Sequence, residues 1–139
     1  MLSVKNLEIV YNDVIKVVRG VSFSVPDKTI VSLLGSNGAG KSTVLKAISN
    51  ILDLEDGEVV DGSIEFDGRR IDGIPPERTV ALGIVHVPEG RGIFDDLTVM
   101  ENLRVGAYVR SDAPRIRTDL ERVLEYFPTL RGRLSQMSG

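Results

Sequence analysis

A glycine-rich stretch joins a short apolar segment to a helix-like segment. Residues 35–43 read Gly-Ser-Asn-Gly-Ala-Gly-Lys-Ser-Thr, which satisfies the phosphate-binding pattern G-x-x-x-x-G-K-[ST]. Residues 29–34, just before it, are mostly apolar and rich in β-branched side chains, as in a buried parallel strand. The apolar residues that follow, at positions 44, 45, 47, 48 and 51, recur at helical spacing. The order of strand, glycine loop and helix predicts a P-loop.

A P-loop holds phosphate with backbone amides, a lysine and a hydroxyl. Unpaired N–H groups and the helix dipole converge on the anion, and glycines let the backbone approach closely. We expect Lys41 to be the catalytic cation on the β- and γ-phosphates and Ser42 to bind Mg²⁺. A glycine-rich turn that happens to precede a lysine is the alternative, but the flanking segments favour a nucleoside triphosphate site. Its predicted residues are Gly35, Ser36, Asn37, Gly38, Ala39, Gly40, Lys41, Ser42 and Thr43.

Composition excludes several classes of protein. Seventeen basic and twenty acidic residues give a net charge of −3, so the overall charge gives no argument for nucleic-acid binding. The absence of cysteine excludes disulfides and thiolate metal sites. No apolar stretch reaches the roughly 18–20 residues of a membrane helix, and the N-terminus has no secretion-signal pattern. We therefore expect a cytosolic protein, and we interpret the single histidine, His86, as a strand residue.

The predicted secondary structure changes character near residue 88. Before it we expect an α/β core with strands at 2–9, 14–18, 21–25, 29–34, 63–66 and 84–87, an acidic connector at 53–62, a turn at 67–68 and a helix from 75. After it, Thr98 and Glu101 match a capping box. A helix is predicted from Pro114 to Phe127. The arginines of this half are interpreted as a solvated face rather than a partner contact.

This sequence resembles the ATP-binding subunits of ABC transporters, and two of its residues stand where that family has residues of the nucleotide site. Tyr11 stands where this family has the aromatic residue that stacks on adenine, although packing on hairpin neighbours is the alternative. Glu89 stands at the usual position of a glutamine near Mg²⁺ and the attacking water. The resemblance therefore implies that Glu89 is a catalytic residue and a second metal ligand, but a carboxylate cannot donate a hydrogen bond as the amide does. Residues 87–91, Val-Pro-Glu-Gly-Arg, are similar to the ATPases of branched-chain amino acid importers.

Two later segments extend the resemblance. Residues 97–103 are similar to the start of the family's helical subdomain, which meets the membrane subunit. Met137-Ser138-Gly139 resembles the first three positions of the family signature, which contacts the ATP of the opposite subunit. The rest of the signature and the family's Walker B aspartate, catalytic glutamate and switch histidine have no counterpart in this sequence. We therefore expect an N-terminal fragment of the family domain that binds ATP, does not hydrolyse it alone and is prone to aggregate.

The resemblance implies a P-loop NTPase (RecA-like) core at residues 1–88, with an N-terminal antiparallel β flank, and a partial helical subdomain at residues 89–139. The implied function is ATP hydrolysis with Mg²⁺ that drives import, above all of branched-chain amino acids. The implied partners are a second ATP-binding subunit, permease subunits and, indirectly, a solute-binding protein, at the inner face of the cell membrane. A non-catalytic nucleotide-binding module is the alternative. A GTPase or kinase is disfavoured because the sequence lacks an Asn-Lys-x-Asp motif and an arginine-rich lid.

Overall fold

The computed structural model describes residues 1–139, which form two compact units, Met1–His86 and Val87–Gly139. The first unit contains a four-stranded antiparallel sheet with the strand order β2-β1-β3-β4. The central strand β1 pairs on one side with β2 and on the other with β3, so that Tyr11 lies opposite both Ile15 and Gly57. The strands are β1 (Leu2–Tyr11), β2 (Ile15–Val25), β3 (Gly57–Phe66) and β4 (Arg69–Arg70).

One helix packs its apolar side against this sheet. The helix α1 (Lys41–Ile48) follows the glycine-rich loop, as predicted. Its buried residues, Val44, Ala47 and Ile48, have the i, i+3, i+4 spacing that places them on one face. They join other buried residues of the sheet and its connections in a single core cluster, which comprises Val4, Leu7, Ile9, Val18, Leu52, Ile64 and Ile71 besides the three helical residues.

A polar side chain fixes the end of this helix to the next elements. Asn50 lies two residues beyond α1 in a left-handed conformation, with φ 54°. Its Nδ2 donates to the Ile71 carbonyl and to Thr79 Oγ1, both at 2.9 Å. Its Oδ1 accepts from the Gly73 N–H at 2.9 Å. Asn50 therefore joins α1 to the chain that enters α2 (Pro76–Ala81).

The second unit is helical. It contains α3 (Val99–Val105), α4 (Ala113–Tyr126) and a 3₁₀ helix at Pro128–Arg133. The predicted capping box is confirmed: Thr98 Oγ1 accepts from the Glu101 N–H at 3.3 Å, and a Glu101 carboxylate oxygen accepts from the Thr98 N–H at 2.8 Å. The helix predicted from Pro114 to Phe127 is also confirmed, as α4. No helix of the protein is both long and apolar enough to cross a membrane.

Two predicted strands are wrong. Residues 29–34 and 84–87 pair with no strand of the sheet, and their apolar side chains are largely exposed. Ile30 is 99% exposed, Leu34 88% and Val87 86%. An apolar run of this length indicates a tendency to be buried, but a strand forms only where a neighbouring backbone supplies hydrogen bonds.

Two other predicted boundaries also differ. The predicted connector at 53–62 instead contains most of a 3₁₀ helix at Leu52–Glu55 and more than half of β3. The segments 14–18 and 21–25 form one strand, β2, which passes through Gly20 at φ 71°. The predicted turn at Asp67–Gly68 is confirmed and joins β3 to β4.

Candidate nucleotide-binding site

The glycine-rich loop reaches α1 through Gly40. Gly40 is the N-cap residue and has φ 85° and ψ 11°, a left-handed conformation that favours glycine. A β-carbon at this position would stand 3.1 Å from Val18 Cγ2 and 3.3 Å from the Val17 carbonyl oxygen. Gly40 thus meets two requirements of the loop, a left-handed turn and close contact with β2.

The N-terminus of α1 suits an anion. The first N–H groups of a helix have no partner within the helix, and the helix dipole gives this end a partial positive charge. No side chain caps α1, and no acidic residue lies in its first turn. Gly38, with φ 80°, has open space where a β-carbon would stand. The start of α1 therefore has no competing side-chain cap or negative charge, and Gly38 leaves space beside it.

Lys41, the first residue of α1, folds back over the loop. Its Nζ donates to the carbonyl oxygens of Gly35 at 2.9 Å and Ser36 at 2.7 Å. Within the loop, the Ala39 N–H donates to the same Ser36 carbonyl at 3.2 Å. The ammonium group is thereby held inside the loop where the pattern predicts phosphate. Ser42 and Thr43 follow in the first turn of α1, with Ser42 exposed and Thr43 half-buried.

Tyr11 lies in the same unit as this loop, at the end of β1. It pairs with Ile15 at the start of β2, and β2 contacts Gly40 two and three residues further on, at Val17 and Val18. The ring is partly buried against the core cluster and covers Gly57. Tyr11 therefore does pack on its neighbours, as the alternative interpretation predicted. Stacking on adenine by the part of the ring that these neighbours leave uncovered stays a prediction.

Glu89 lies in the second unit, in an exposed loop that contains Gly90 and Gly92. Lys41 and Ser42 belong to the first unit. No group of three or more His, Cys, Asp or Glu side chains in residues 1–139 is arranged to hold a metal ion. The metal and catalytic roles of Glu89 therefore remain predictions from the resemblance.

Sequence reasoning missed one functional candidate, Asn102. It lies in α3, and its side-chain amide donates to Ser138 Oγ at 3.0 Å. The two residues are 36 positions apart, so no local pattern relates them. Each belonged to a segment that resembles the family, and this was the only signal in the sequence.

Comparison with known proteins agrees with this geometry. The family profile described as ABC transporter matches residues 18–139. The high-affinity branched-chain amino acid transport ATP-binding protein BraG of Pseudomonas aeruginosa is 36% identical over 139 residues, which are 100% of this chain and 57% of that protein. The probable branched-chain amino acid transport ATP-binding protein LivF of Archaeoglobus fulgidus is 32% identical over 119 residues, 86% of this chain and 48% of that protein.

Solved structures share the fold. An ATP-binding subunit of an ABC transporter superposes with a TM-score of 0.73 at 34% identity, over 99% of this chain and 54% of that one. A nucleotide-free ATP-binding cassette superposes with a TM-score of 0.76 at 23% identity, over 100% of this chain and 58% of that one, and supports the fold alone. The chain spans about half the length of the curated relatives it matches. The family profile, the relatives and the shared fold together identify this chain as a member of the ABC transporter family, whose members are ATPases.

Proposed function

We propose that this chain is the nucleotide-binding part of an ATP-hydrolysing subunit that drives solute import. The observation that carries the proposal is the uncapped N-terminus of α1 together with Lys41, whose ammonium group lies inside the loop. This combination provides backbone donors and a cation for the phosphates of ATP.

Each part of the site has a separate role. The amides of the loop bind the phosphate oxygens, and Lys41 moves its hydrogen bonds from the loop carbonyls to the β- and γ-phosphates. Ser42 would hold Mg²⁺, which would neutralise phosphate charge, and the family resemblance gives Glu89 as the residue that would be its second ligand. Tyr11 stacks on the adenine with the part of its ring that Gly57 does not cover. No apolar strand ending in Asp-Glu follows the P-loop within residues 1–139, so we infer that these residues alone bind ATP without turning it over.

The relatives support a transported solute and a set of partners. BraG and LivF are named as branched-chain amino acid transport proteins, and this chain resembles that group at residues 87–91. We infer a pair of ATP-binding subunits, each with Ser138 facing the other's ATP, on permease subunits at the inner face of the membrane. A solute-binding protein delivers the amino acid to the permease.

Calorimetric titration with Mg·ATP tests the site. Lys41→Ala should weaken binding at least tenfold, because hydrogen bonds to charged groups contribute roughly 1.5–3 kcal/mol each. Lys46→Ala is the matched control. It removes a lysine from the same helix, but one whose ammonium group pairs with Glu55, and it should leave affinity unchanged.

Circular dichroism of each variant verifies that α1 still forms. Equal affinities for the wild type and a folded Lys41→Ala variant would remove the loop from the nucleotide site.

Import is tested by deleting the gene and measuring the uptake of labelled leucine. Unchanged uptake would overturn the proposed solute but not the ATP site.

A further inference from the structure

Two segments of the second unit run side by side. The first, residues 94–100, leads into α3, and the second, residues 134–139, contains Ser138, the serine of the signature-like sequence. Thr98 and Met137 form an antiparallel bridge. Three backbone hydrogen bonds join the segments: Met100 N to the Leu134 carbonyl at 3.0 Å, Val99 N to the Gln136 carbonyl at 2.9 Å, and Ser138 N to the Leu97 carbonyl at 3.1 Å. The backbone of Ser138 is therefore fixed against the lead-in to α3.

The side chain of Asn102 lies at the centre of this arrangement, and its orientation is determined. Asn102 Oδ1 accepts from the Phe94 N–H at 2.9 Å. A flipped amide would bring two donors together at this contact, so the oxygen must face Phe94. The amide nitrogen consequently faces four acceptors, which share its two N–H groups: the carbonyl oxygens of Phe94 at 3.0 Å, Thr98 at 3.1 Å and Leu97 at 3.3 Å, and Ser138 Oγ at 3.0 Å.

This orientation decides what the Ser138 hydroxyl can do. An amide nitrogen donates and does not accept, so Ser138 Oγ must be the acceptor in its contact with Asn102. The hydroxyl proton is then not used in this bond and can be donated to another oxygen. The backbone pairing and the amide together fix both the position of Ser138 Oγ and the availability of its proton.

We propose that Asn102 is the positioning residue for Ser138. Its amide holds Ser138 Oγ as an acceptor and so keeps the hydroxyl proton for a phosphate oxygen of the nucleotide. This inference rests on the proposed function, in which the signature serine contacts ATP. Asn102 itself does not touch the nucleotide.

The substitution Asn102→Asp tests the proposal with little change of shape. A carboxylate can still accept from the Phe94 N–H, but it cannot donate to Ser138. The hydroxyl would instead donate to the carboxylate and lose its proton for phosphate. In the full-length subunit with its partner subunits, kcat/KM for ATP should fall roughly 10- to 100-fold, the value of one hydrogen bond to a charged group.

A double-mutant cycle separates positioning from structural damage. Ser138→Ala should lower kcat/KM by a similar factor, and adding Asn102→Asp to Ser138→Ala should lower it no further. A carboxylate at position 102 also faces the three carbonyl oxygens, so Asn102→Asp should lower the melting temperature by the same amount with and without Ser138. The dissociation constant of Mg·ATP at the P-loop should stay at the wild-type value. Ser111→Asp, at an exposed residue of the same unit, adds the same charge and should not change turnover.

Two results would overturn the inference alone. One is an equal loss from Asn102→Asp with and without Ser138, and the other is unchanged turnover in Asn102→Asp. In both cases, loss of ATP turnover on introducing Lys41→Ala into the otherwise wild-type subunit would still support the proposed function. If the full-length wild-type subunit with its partner subunits shows no ATP turnover that depends on Lys41, the proposed function and this inference are overturned together.

Discussion

The ring of Tyr11 lies against the backbone of Gly57, its partner across the β1–β3 pair. A β-carbon at position 57 would stand 2.9 Å from Tyr11 Cε1, 3.1 Å from Tyr11 Cζ and 3.3 Å from Leu52 Cδ2. Gly57 thus provides the space that the ring occupies. This contact fixes the tyrosine at the edge of the predicted adenine site.

Gly57→Ala should destabilise the first unit by overpacking. Extra carbon atoms in a well-packed region typically cost about 1–3 kcal/mol, and we expect a loss of this size in urea unfolding. Gly132→Ala is the control, because nothing lies within 4 Å of its β-carbon position. The cost of Gly57→Ala should shrink when Tyr11→Ala is already present. The same cost in both backgrounds would show that the ring is not the obstacle.

Tyr11 should contribute to the affinity for ATP through its ring and not through its hydroxyl. Tyr11→Phe should keep the affinity, and Tyr11→Ala should lose about 1–3 kcal/mol, as expected for aromatic stacking on a base. Titration with tripolyphosphate provides the control, because a ligand without a base should bind Tyr11→Ala and the wild type equally. A similar loss in Tyr11→Phe and Tyr11→Ala would contradict stacking.

Asn50→Gly should unfold more easily than the wild type. Glycine tolerates the left-handed backbone, so the variant removes the amide without adding strain. The buried Thr79, only 1% exposed, would lose its donor, whereas the N–H of the exposed Gly73 can bond to water instead. Each unsatisfied buried group costs about 1–3 kcal/mol. Asn12→Gly, at another left-handed asparagine that is exposed in the β1–β2 hairpin, should cost much less in the same unfolding assay.

The capping box should make the start of α3 sensitive to acid. Hydrogen bonds from Thr98 lower the pKa of Glu101 below its ordinary value. A group with a lower pKa in the folded state stabilises that state above its unfolded pKa, and the contribution disappears as the pH falls through the folded pKa. NMR titration below pH 4.5 should show the lowered value in the wild type and a value nearer the ordinary one in Thr98→Val. An unchanged titration in Thr98→Val would contradict this cause.

Features that depend on neighbouring residues were predictable from the sequence. The glycine loop, the helix after it and the capping box between Thr98 and Glu101 each depend on contacts within a few residues. The helix α4 was also predicted within about a residue at each end, since its apolar spacing and Pro128 mark its limits. The phosphate-binding residues of the P-loop were predicted from the same kind of local pattern, and their role stays a prediction.

Features that depend on distant partners were not predictable. Most of β3 was predicted as a connector, because Gly57, Asp61 and Gly62 are poor strand residues, and only pairing with β1 makes the segment a strand. Residues 29–34 and 84–87 have strand-like composition, yet no neighbouring strand bonds them. The contact between Asn102 and Ser138 joins two helical-unit segments far apart in the sequence, so their spacing carried no signal.

The hydrogen bonds of Lys41 to Gly35 and Ser36 should make the loop selective for highly charged ligands. Lys41 must give up its hydrogen bonds to two carbonyl oxygens before it can bind a ligand. The free energy that the ligand gains is therefore only the difference between its own hydrogen bonds to Lys41 and the two that are lost. Hydrogen bonds to an ionised oxygen are roughly twice as strong as those to a neutral one. A polyphosphate can therefore displace the two carbonyl oxygens from Lys41, and an uncharged molecule cannot. We therefore expect Lys41 to set a charge threshold: nucleosides should bind poorly, and affinity should rise steeply from mono- to triphosphate.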